Sequence, residues 1–302
     1  MSQRRRSQGH GRFTTAPPIG GPHELGQNWL VDRRFPADMA EILRRAPPYP
    51  VLELGAGNGA LTEALVANGA AVIALELDPL RVDRLRRRFA GRAEIVEADM
   101  LTFDFGPKPH HVIANVPFSL TTPLLRRLLQ QNHWDTAVLL LQWEVARKRA
   151  GVGGTTMLTA SWWPWYEFSL GERVPAAAFT PMPTVDGGIL IIRRRAVPLV
   201  PSELLKDYQY LVRQAFTGPG RGLRAILRRH FPDRVVDDWI SRECLDSRTL
   251  PRDLKSDAWA SLFRLHRQFG FSGSKSARNT ARTVSLRGQT ESQPKRGRGS
   301  HS

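Results

Sequence analysis

Between residues 48 and 195, short apolar runs alternate with amphipathic segments along the chain. Five runs rich in apolar and β-branched residues predict strands, at 49–54, 71–76, 94–97, 112–114 and 137–141. Three segments between them have helical spacing, at 60–68, 79–89 and 122–131. Strands of this kind separated by helices are typical of a parallel sheet covered on both faces. Two later runs, 159–170 and 188–194, are predicted to add strands at an antiparallel edge.

The pattern becomes wholly helical after Pro198-Leu199-Val200-Pro201. Four segments carry helical spacing and no strand pattern is evident, at 202–216, 222–230, 234–243 and 252–269. Ser202 is predicted to cap the first of these helices, which places a domain boundary between residues 200 and 201. The chain is therefore predicted to hold an α/β domain at 24–200 and a small all-α domain at 201–270.

The two chain ends, 1–23 and 271–302, are rich in Gly, Ser, Gln and Arg and have no apolar period. Such composition predicts disordered arms. The first carries four arginines and no acid, and the second carries seven basic residues and one Glu. The whole chain has a formal net charge of +16 and stays basic without its arms. A positive field of this size indicates a polyanionic partner, of which nucleic acid is the commonest.

Several classes of protein are excluded by simple observations. The single cysteine, Cys244, allows neither an internal disulfide nor a cysteine metal cluster. His110 and His111 lack metal-ligand spacing, so no metal site is predicted. The N-terminus shows no secretory signal, and no run of eighteen apolar residues predicts a membrane span. We therefore expect a cytoplasmic protein.

A glycine-rich turn joins the first predicted strand to its helix. It has the sequence Glu53-Leu54-Gly55-Ala56-Gly57-Asn58-Gly59. Glycines at this place let the backbone turn sharply and approach a ligand beside a helix N-terminus. The spacing is G-x-G-x-G, unlike the dinucleotide pattern G-x-G-x-x-G, and an acid precedes the first glycine by two residues.

Two further acids follow the next strands of the predicted sheet. Glu76 ends the second strand, where a carboxylate can accept hydrogen bonds from both hydroxyls of a ribose. Asp99 follows the third strand and is placed to reach an adenine amino group. Asp78 is a second candidate for the ribose. Because the carboxyl ends of parallel strands share one edge, these acids and the glycine turn favour S-adenosylmethionine over NAD.

The tetrapeptide Asn115-Val116-Pro117-Phe118 follows the apolar strand at 112–114. Asn115 supplies an amide that both donates and accepts hydrogen bonds, and Phe118 supplies a π-face on a proline-stiffened turn. The Asn115 side-chain oxygen, with the carbonyl of Asn115 or Val116, could accept the hydrogens of a base amino group as its nitrogen attacks a methyl. The motif therefore indicates a site that holds one planar base; by itself it also occurs in ordinary turns.

Six motifs occur in the order seen in ribosomal RNA adenine dimethyltransferases: residues 27–30, 53–62, Glu76, Asp99, 115–118 and 179–186. The sequence most resembles the Erm enzymes, which methylate an adenine of 23S rRNA and confer macrolide–lincosamide–streptogramin B resistance. The resemblance covers about residues 26–269, and the joint occurrence of the motifs is highly specific. Gln214-Ala215-Phe216-Thr217-Gly218 also resembles Erm more than the small-subunit rRNA enzymes.

The resemblance implies a Rossmann-like S-adenosylmethionine-dependent methyltransferase domain with a small helical RNA-binding domain. It implies that Gln27, Asn28 and Leu30 help close the cofactor site. It assigns Glu53, Gly55 and Gly57 to the cofactor turn, Glu76 to the ribose and Asp99 to the adenine. It places the catalytic site at Asn115, Val116, Pro117 and Phe118, with Asn115 and Phe118 holding the target base, and it also assigns Asn115 to the cofactor site. Trp29 and Phe118 replace the Phe and Tyr frequent in the family, and both changes keep an aromatic face.

The expected activity is methylation of the N6 of one adenine in 23S rRNA. We expect the substrate to be naked or early-assembly RNA and the enzyme to be a monomer that contacts no membrane. Three alternatives stay open: a small-subunit rRNA dimethyltransferase, a DNA adenine methyltransferase, and a non-catalytic nucleic-acid-binding relative. The number of methyl groups and the drug spectrum also stay open.

Three other groups of residues carry weaker expectations. The aromatic run of Trp162, Trp163, Trp165 and Tyr166 favours packing in the core over base stacking. The segment 179–186 is expected to form a loop that walls the active site. Two interpretations stay open for a set of basic residues, which either contact phosphates or form a solvated face: Arg126, Arg127, Arg147, Lys148 and Arg149.

Overall fold

The computed structural model describes residues 28–246 and 248–269. Within these residues the strands are β1 (Trp29–Leu30), β2 (Val51–Leu54), β3 (Val72–Glu76), β4 (Glu94–Glu97), β5 (His110–Asn115), β6 (Trp134–Gln142), β7 (Tyr166–Val174), β8 (Phe179–Thr180) and β9 (Gly187–Arg194). The α-helices are α1 (Arg34–Arg44), α2 (Ala60–Ala67), α3 (Pro79–Arg88), α4 (Thr121–Gln130), α5 (Trp143–Arg149), α6 (Met157–Ala160), α7 (Leu205–Thr217), α8 (Leu223–Leu227), α9 (Asp233–Arg242) and α10 (Ser256–Phe269). The predicted arms and Gln27 lie outside the described residues.

The main sheet has seven strands in the spatial order β4-β3-β2-β5-β6-β9-β7. The pairs from β4 to β6 are parallel, so their carboxyl ends lie along one edge. β9 runs antiparallel to both β6 and β7. β1 and β8 form a separate two-stranded antiparallel sheet. The predicted α/β class and the antiparallel edge are confirmed, and the two-stranded sheet was not predicted.

Local sequence explains why the helices begin where they do. Asp78 caps α3, because its Oδ1 accepts hydrogen bonds from the backbone N–H groups of Leu80 and Arg81, and Pro79 occupies the first helical position. Thr156 caps α6 by accepting from the N–H of Thr159. α1, which was not predicted, places Phe35, Met39 and Leu43 on its buried face.

The prediction of a strand at 159–170 is wrong in its first half. Residues up to Ala160 belong to α6, helical turns continue through Trp163 and Tyr166, and β7 begins only at Tyr166. The cap at Thr156 and the following turns outweigh the β propensity of the aromatic residues. The expectation that the aromatic run packs in the core is met, since Trp163 and Trp165 are 7% and 6% exposed.

The segment after residue 200 is helical, but its boundaries differ from those predicted. Ser202 does not cap a helix: Pro201 precedes a short 3-10 turn, Ser202–Leu204, and α7 starts after it. α8 is shorter than expected. The segment 252–269 is divided, because a 3-10 turn at Pro251–Asp253 precedes α10. Short 3-10 turns of this kind are frequent at the N-termini of α-helices.

The helical segment packs directly on the sheet region. Tyr208 of α7 is fully buried, and its hydroxyl donates to the carbonyl of Ala160 at 2.8 Å. Its ring meets Trp165 edge-on at a centroid distance of 5.4 Å and Phe263 of α10 at 5.4 Å. One hydrophobic cluster therefore runs through both regions. The domain boundary between residues 200 and 201 stays a prediction.

Candidate active site

A cavity of about 510 Å³ lies at the carboxyl ends of the parallel strands. Its lining contains every predicted site residue that the structure describes: Asn28, Leu30, Glu53, Gly55, Gly57, Glu76, Asp99, Asn115, Val116, Pro117 and Phe118. Sequence motifs far apart along the chain thus meet in one cavity. The roles of these residues stay predictions.

The glycine turn forms one wall of the cavity. Gly55 and Gly57 have φ angles of +77° and +56°, in the left-handed region that favours glycine. A side-chain Cβ at Gly55 would lie 2.8 Å from Cε of Met100. The N–H of Gly57 donates to Oε2 of Glu76 at 2.7 Å, which ties the turn to the end of β3. The backbone can therefore approach a ligand closely at this wall.

The three acids beside the turn have different partners. Oε1 of Glu76 accepts from the N–H groups of Leu77 and Asp78, each at 3.0 Å, so this carboxylate is held rigidly. Asp78 caps α3 and forms an ion pair with Arg81. Asp99 accepts from the N–H of Leu101 at 2.8 Å. Both carboxylates are therefore already hydrogen-bonded to the backbone, Glu76 to the glycine turn and to the start of the next loop, and Asp78 to its own helix. Glu76 remains our first candidate for the ribose, because it ends β3 at the cavity.

Glu53 is buried at the floor of the cavity, with 1% of its surface exposed. Its Oε2 accepts from Oγ1 of Thr62 at 2.6 Å, while Oε1 makes no hydrogen bond with any described residue. Burial raises the pKa of the Glu53 carboxyl to about 8; the Thr62 hydrogen bond opposes this rise, and the charge of Glu76 adds to it. Burial therefore favours the uncharged form of this acid.

Asn115 stands at the end of β5 with its amide held in one orientation. Its Nδ2 donates to the backbone carbonyl of Asn28 at 2.9 Å, which leaves Oδ1 to accept a hydrogen bond from a ligand. The next residue, Val116, is buried, and its N–H donates to Leu140 of β6 at 3.1 Å. A 3-10 turn then carries the half-buried ring of Phe118 to the cavity.

The β1–β8 pairing brings an additional aromatic residue to the cavity. Leu30 pairs with Phe179, and the 3% exposed Phe179 lines the cavity. Trp29 of β1 lines it too, with the guanidinium of Arg81 at 5.4 Å from the Trp29 ring. Sequence reasoning placed the segment 179–186 at the wall but did not single out Phe179. The aromatic residue before Thr-Pro was the signal that could have identified it.

Asp186 fixes the loop that follows β8. Its Oδ1 accepts from the N–H of Ala176 at 2.8 Å, and its Oδ2 accepts from Nε of Arg173 at 2.7 Å. The hydrogen bond from Ala176, followed by that from Arg173, lowers the pKa of Asp186. The guanidinium of Arg173 also lies 5.3 Å from the ring of Trp143 at the start of α5. The C-terminal end of the loop is thereby held against β7 and the segment before β8.

Comparison with known proteins identifies the family. The sequence profile described as "Ribosomal RNA adenine dimethylase" matches residues 22–268. The chain belongs to this family. It is 57% identical to the mycinamicin-resistance protein MyrB of Micromonospora griseorubida, over 98% of this chain and 95% of that protein. It is 45% identical to an rRNA adenine N-6-methyltransferase of Corynebacterium diphtheriae, over 69% of this chain and 83% of that protein.

A solved structure agrees with the family assignment. The crystal structure of the 23S rRNA methyltransferase ErmE matches with a TM-score of 0.74 and 34% identity, covering 79% of this chain and 99% of that one. The Rossmann-like fold class, the resemblance to the family and the S-adenosylmethionine-dependent methyltransferase class are confirmed. The residues of the cavity suit this cofactor, because the glycine turn and the carboxylates of Glu76 and Asp99 line it, and carboxylates accept the hydrogen bonds that ribose hydroxyls and an adenine amino group donate.

The basic residues of α4 and α5 have unequal environments in this adenine methyltransferase. Arg127 donates to the carbonyl of Phe103 and lies 5.3 Å from the ring of Phe105, so it packs internally. Arg147 is paired with Glu144 at 2.9 Å. Arg149 donates to Oγ1 of Thr156 at 2.7 Å, and its pKa is lowered by burial and by the nearby positive charge of Arg126. Arg126 therefore adds a second positive charge near that of Arg149.

Within the described ranges, the structure contains no helix whose length and apolarity would suit a membrane span. Across the same residues, no cluster of His, Cys, Asp and Glu side chains could hold a metal ion.

Proposed function

We propose that this protein transfers a methyl group from S-adenosylmethionine to N6 of one adenine in 23S rRNA, and thereby confers resistance to macrolide-type antibiotics. The observation that carries the proposal is the fixed amide of Asn115, which presents Oδ1 in the same cavity as the acids Glu76 and Asp99. The similarity to MyrB and to ErmE, named for drug resistance and for 23S rRNA methylation, supports the choice of substrate.

The chain's residues divide between holding the cofactor and holding the base. Glu76 accepts hydrogen bonds from the ribose, Asp99 from the adenine amino group, and the turn at Gly55 and Gly57 gives the cofactor close contact with the backbone. Asn28 and Leu30, on the chain that closes the cavity, cover the cofactor. Bound S-adenosylmethionine supplies an electrophilic methyl group. Gln27 is proposed for the same closing role by resemblance alone.

Asn115 acts on the nitrogen that receives the methyl. The amino nitrogen of adenine is a weak nucleophile, because its lone pair is delocalised into the ring. Oδ1 of Asn115 and a backbone carbonyl of Asn115 or Val116 accept its hydrogens and favour the pyramidal form that attacks. These fixed dipoles stabilise the charge that develops on nitrogen, and alignment of the reacting atoms supplies much of the remaining acceleration. The ammonium-like product loses its proton to water.

Phe118 and Phe179 form the aromatic part of the base site. Taking an adenine out of its stack costs a few kcal/mol, and stacking on an aromatic ring offsets part of that cost. Pro117 stiffens the turn that carries Phe118, and the buried Val116 anchors it to β6. The two phenylalanines reach the cavity from different elements, β8 and the turn after β5.

The RNA backbone is proposed to contact the positive site at Arg126 and Arg149. Burial and the nearby positive charge of Arg126 lower the pKa of the Arg149 guanidinium, and a phosphate bound beside the two side chains would offset their repulsion. The helical domain, 201–270, is proposed to flank the same RNA. We propose naked or early-assembly 23S rRNA as the substrate, because assembled ribosomal subunits bury much of their RNA. The enzyme is proposed to be monomeric and cytoplasmic.

The test is to map methyl label on RNA. Purified protein and tritiated S-adenosylmethionine are incubated with naked 23S rRNA, naked 16S rRNA or an adenine-containing DNA duplex, using RNA from a strain that lacks the enzyme. We expect N6-methyladenine at one position of 23S rRNA. A macrolide-susceptible strain that expresses the gene should also grow in the presence of a macrolide. Label on 16S rRNA or DNA instead would identify one of the alternative enzymes. If the folded protein labels none of the three nucleic acids, the remaining interpretation is a non-catalytic nucleic-acid-binding protein.

A further inference from the structure

An arginine at the edge of the main sheet is held in place although most of its side chain faces solvent. Arg173 lies near the end of β7, and its side chain is 59% exposed. Its Nε donates to Oδ2 of Asp186 at 2.7 Å, and its guanidinium lies 5.3 Å from the centroid of the Trp143 ring. Because a free arginine side chain loses rotamer entropy when a partner binds it, a guanidinium fixed in advance is well suited to binding one.

A β-bulge determines which side chain stands at this position. β7 has one residue more than β9 between Leu170 and Arg173. Since side chains alternate along a strand, the extra residue puts Arg173 on the face that Glu172 would otherwise occupy. Glu172 is directed elsewhere and forms an ion pair with Arg34 at 2.8 Å. The bulge therefore exchanges an acid for a cation on this face of the sheet.

A glycine makes room for the tryptophan beside this arginine. Gly188 of β9 pairs with Arg173. A Cβ at Gly188 would lie 2.9 Å from Cε3 of Trp143 and 3.0 Å from Cβ of Ala146, so the start of α5 packs directly on the strand. The N–H of Trp143 donates to the carbonyl of Asp186 at 2.9 Å. Arg173, Trp143 and Asp186 thus form one connected group, the Arg173 platform.

The Arg173 platform lies within reach of an RNA strand that enters the base site. Asn115 ends β5, and β6 and β9 stand between β5 and β7 in the sheet. Three strand spacings of about 4.8 Å therefore separate Arg173 from the base site by about 14 Å. In a second direction, α5 extends for about 10 Å from Trp143 to Arg149, the residue proposed to contact phosphate. Each distance corresponds to about three or four nucleotides at about 3.4 Å each.

We propose that the guanidinium of Arg173, backed by Trp143 and fixed by Asp186, stacks on one RNA base that flanks the target adenine. This inference rests on the proposed function, because it takes the RNA around that adenine as the ligand. Unpaired RNA bases stack on guanidinium planes as well as on aromatic rings. A base suits this platform better than a phosphate, because the carboxylates of Asp186 and Glu144 stand near the guanidinium and would repel a phosphate.

The test is equilibrium binding of an RNA hairpin that contains the target adenine, measured by fluorescence anisotropy. A set of hairpins carries one abasic nucleotide at each of the four positions on either side of that adenine. With the unaltered protein, we expect removal of the stacked base to weaken binding about 2- to 30-fold, the range of a cation–π contact.

Arg173→Lys keeps the charge, and an ammonium can still pair with Asp186, but it has no planar face. We expect this variant to bind the intact hairpin about 2- to 30-fold more weakly than the unaltered protein does. The abasic nucleotide at the stacked position should then cause no further loss, because the two changes remove the same contact. The single-turnover rate at saturating RNA should stay unchanged, since Arg173 touches no reacting atom.

Arg34→Lys is the matched control. The Arg34 side chain is also 59% exposed, pairs with a carboxylate at 2.8 Å and lies 4.4 Å from the ring of Phe35, but it belongs to α1. It should bind the intact and abasic hairpins as the unaltered protein does. Arg173→Gln, which removes the charge as well as the full guanidinium plane, should weaken binding at least as much as Arg173→Lys.

Affinity retained in Arg173→Lys but lost in Arg173→Gln would show that charge alone suffices, as for a phosphate, and would overturn this inference. Weaker binding by Arg173→Lys with an undiminished loss at every abasic position would also overturn it, because no base would then depend on Arg173. In both cases methylation of the hairpin by the unaltered protein would leave the proposed function intact. Failure of the folded, unaltered protein to methylate either the hairpin or 23S rRNA would instead contradict the proposed function itself.

Discussion

Asn115 uses its two amide atoms for different tasks. Nδ2 donates to the carbonyl of Asn28. Oδ1 is the atom that we propose as the acceptor for the base. We expect Asn115→Ala to lower kcat by about 10²- to 10³-fold, the usual effect of removing one preorganised group at a developing charge. Affinity for S-adenosylmethionine should change little. Single-turnover methylation of an RNA hairpin and calorimetry of cofactor binding measure the two effects. A loss confined to cofactor affinity would contradict the role given to Asn115.

We propose that the ring of Phe118 stacks on the base, so the effect of a substitution should depend on whether the new side chain keeps an aromatic ring. Phe118→Leu keeps bulk but removes the π-face, and we expect it to weaken the reaction by about 1–3 kcal/mol in single-turnover assays. Phe118→Tyr keeps the face and should be nearly neutral. Equal losses in the two variants, with both proteins folded, would mean that the ring packs internally and does not touch the base.

Glu76 and Asp78 are neighbours that we assign to different tasks. Glu76→Ala should weaken S-adenosylmethionine binding by about 1–3 kcal/mol, the range for hydrogen bonds to a charged group, and it also releases the N–H of Gly57. Asp78→Ala should instead lower the free energy of unfolding by about 0.5–2 kcal/mol through the lost cap of α3. For both variants, calorimetry measures the affinity for S-adenosylmethionine and urea denaturation measures the free energy of unfolding. A larger binding loss in the Asp78 variant would reverse the assignment.

The element that links the two halves of the site is the pairing of β1 with β8. It joins Leu30 to Phe179, which both line the cavity, and the preceding Asn28 accepts from the Asn115 amide. The loop after β8 depends on Asp186, whose bonds to Ala176 and Arg173 hold it in place. An element of only two residue pairs therefore couples positions that lie far apart in the sequence.

We expect Asp186→Ala to lower kcat/KM for RNA methylation while leaving cofactor affinity unchanged, because the loop carrying Phe179 loses its anchor. The pKa of Asp186 is lowered from its ordinary value of 3.8, so its stabilising effect is complete above that value and is lost only as pH falls through the lowered pKa. The pH–rate profile between pH 6 and pH 8 should therefore show no contribution from Asp186. A parallel loss of cofactor binding in the variant would place the loop at the cofactor instead.

For the whole molecule, charge governs the approach to RNA. The net charge of +16 is spread over the chain and its ends. RNA binding should weaken steeply as salt rises, since each phosphate contact releases a counterion. Removing 271–302 should flatten this dependence without abolishing methylation if the tail binds RNA nonspecifically. A tailless protein that binds cofactor but cannot methylate naked 23S rRNA would show that the tail belongs to the specific site.

The sequence by itself determined the sheet core, the cofactor turn and the residues proposed for catalysis. Glycine spacing, strand-end acids such as Glu76 and Asp99, and the Asn115 motif are local patterns, and a parallel sheet necessarily brings its strand ends to one edge. The same local logic failed at 159–165, where the cap of α6 and the contact between Trp165 and Tyr208 outweighed strand propensity.

Only the tertiary structure decided which distant groups touch. Phe179 reaches the cavity because β8 pairs with β1, and the Asn115 amide is oriented by the carbonyl of Asn28. The raised pKa of Glu53 likewise depends on burial of the carboxyl and on the charge of Glu76 nearby. Such contacts form between segments that lie far apart along the chain and meet only when the chain has packed. No local pattern of residues could therefore predict them.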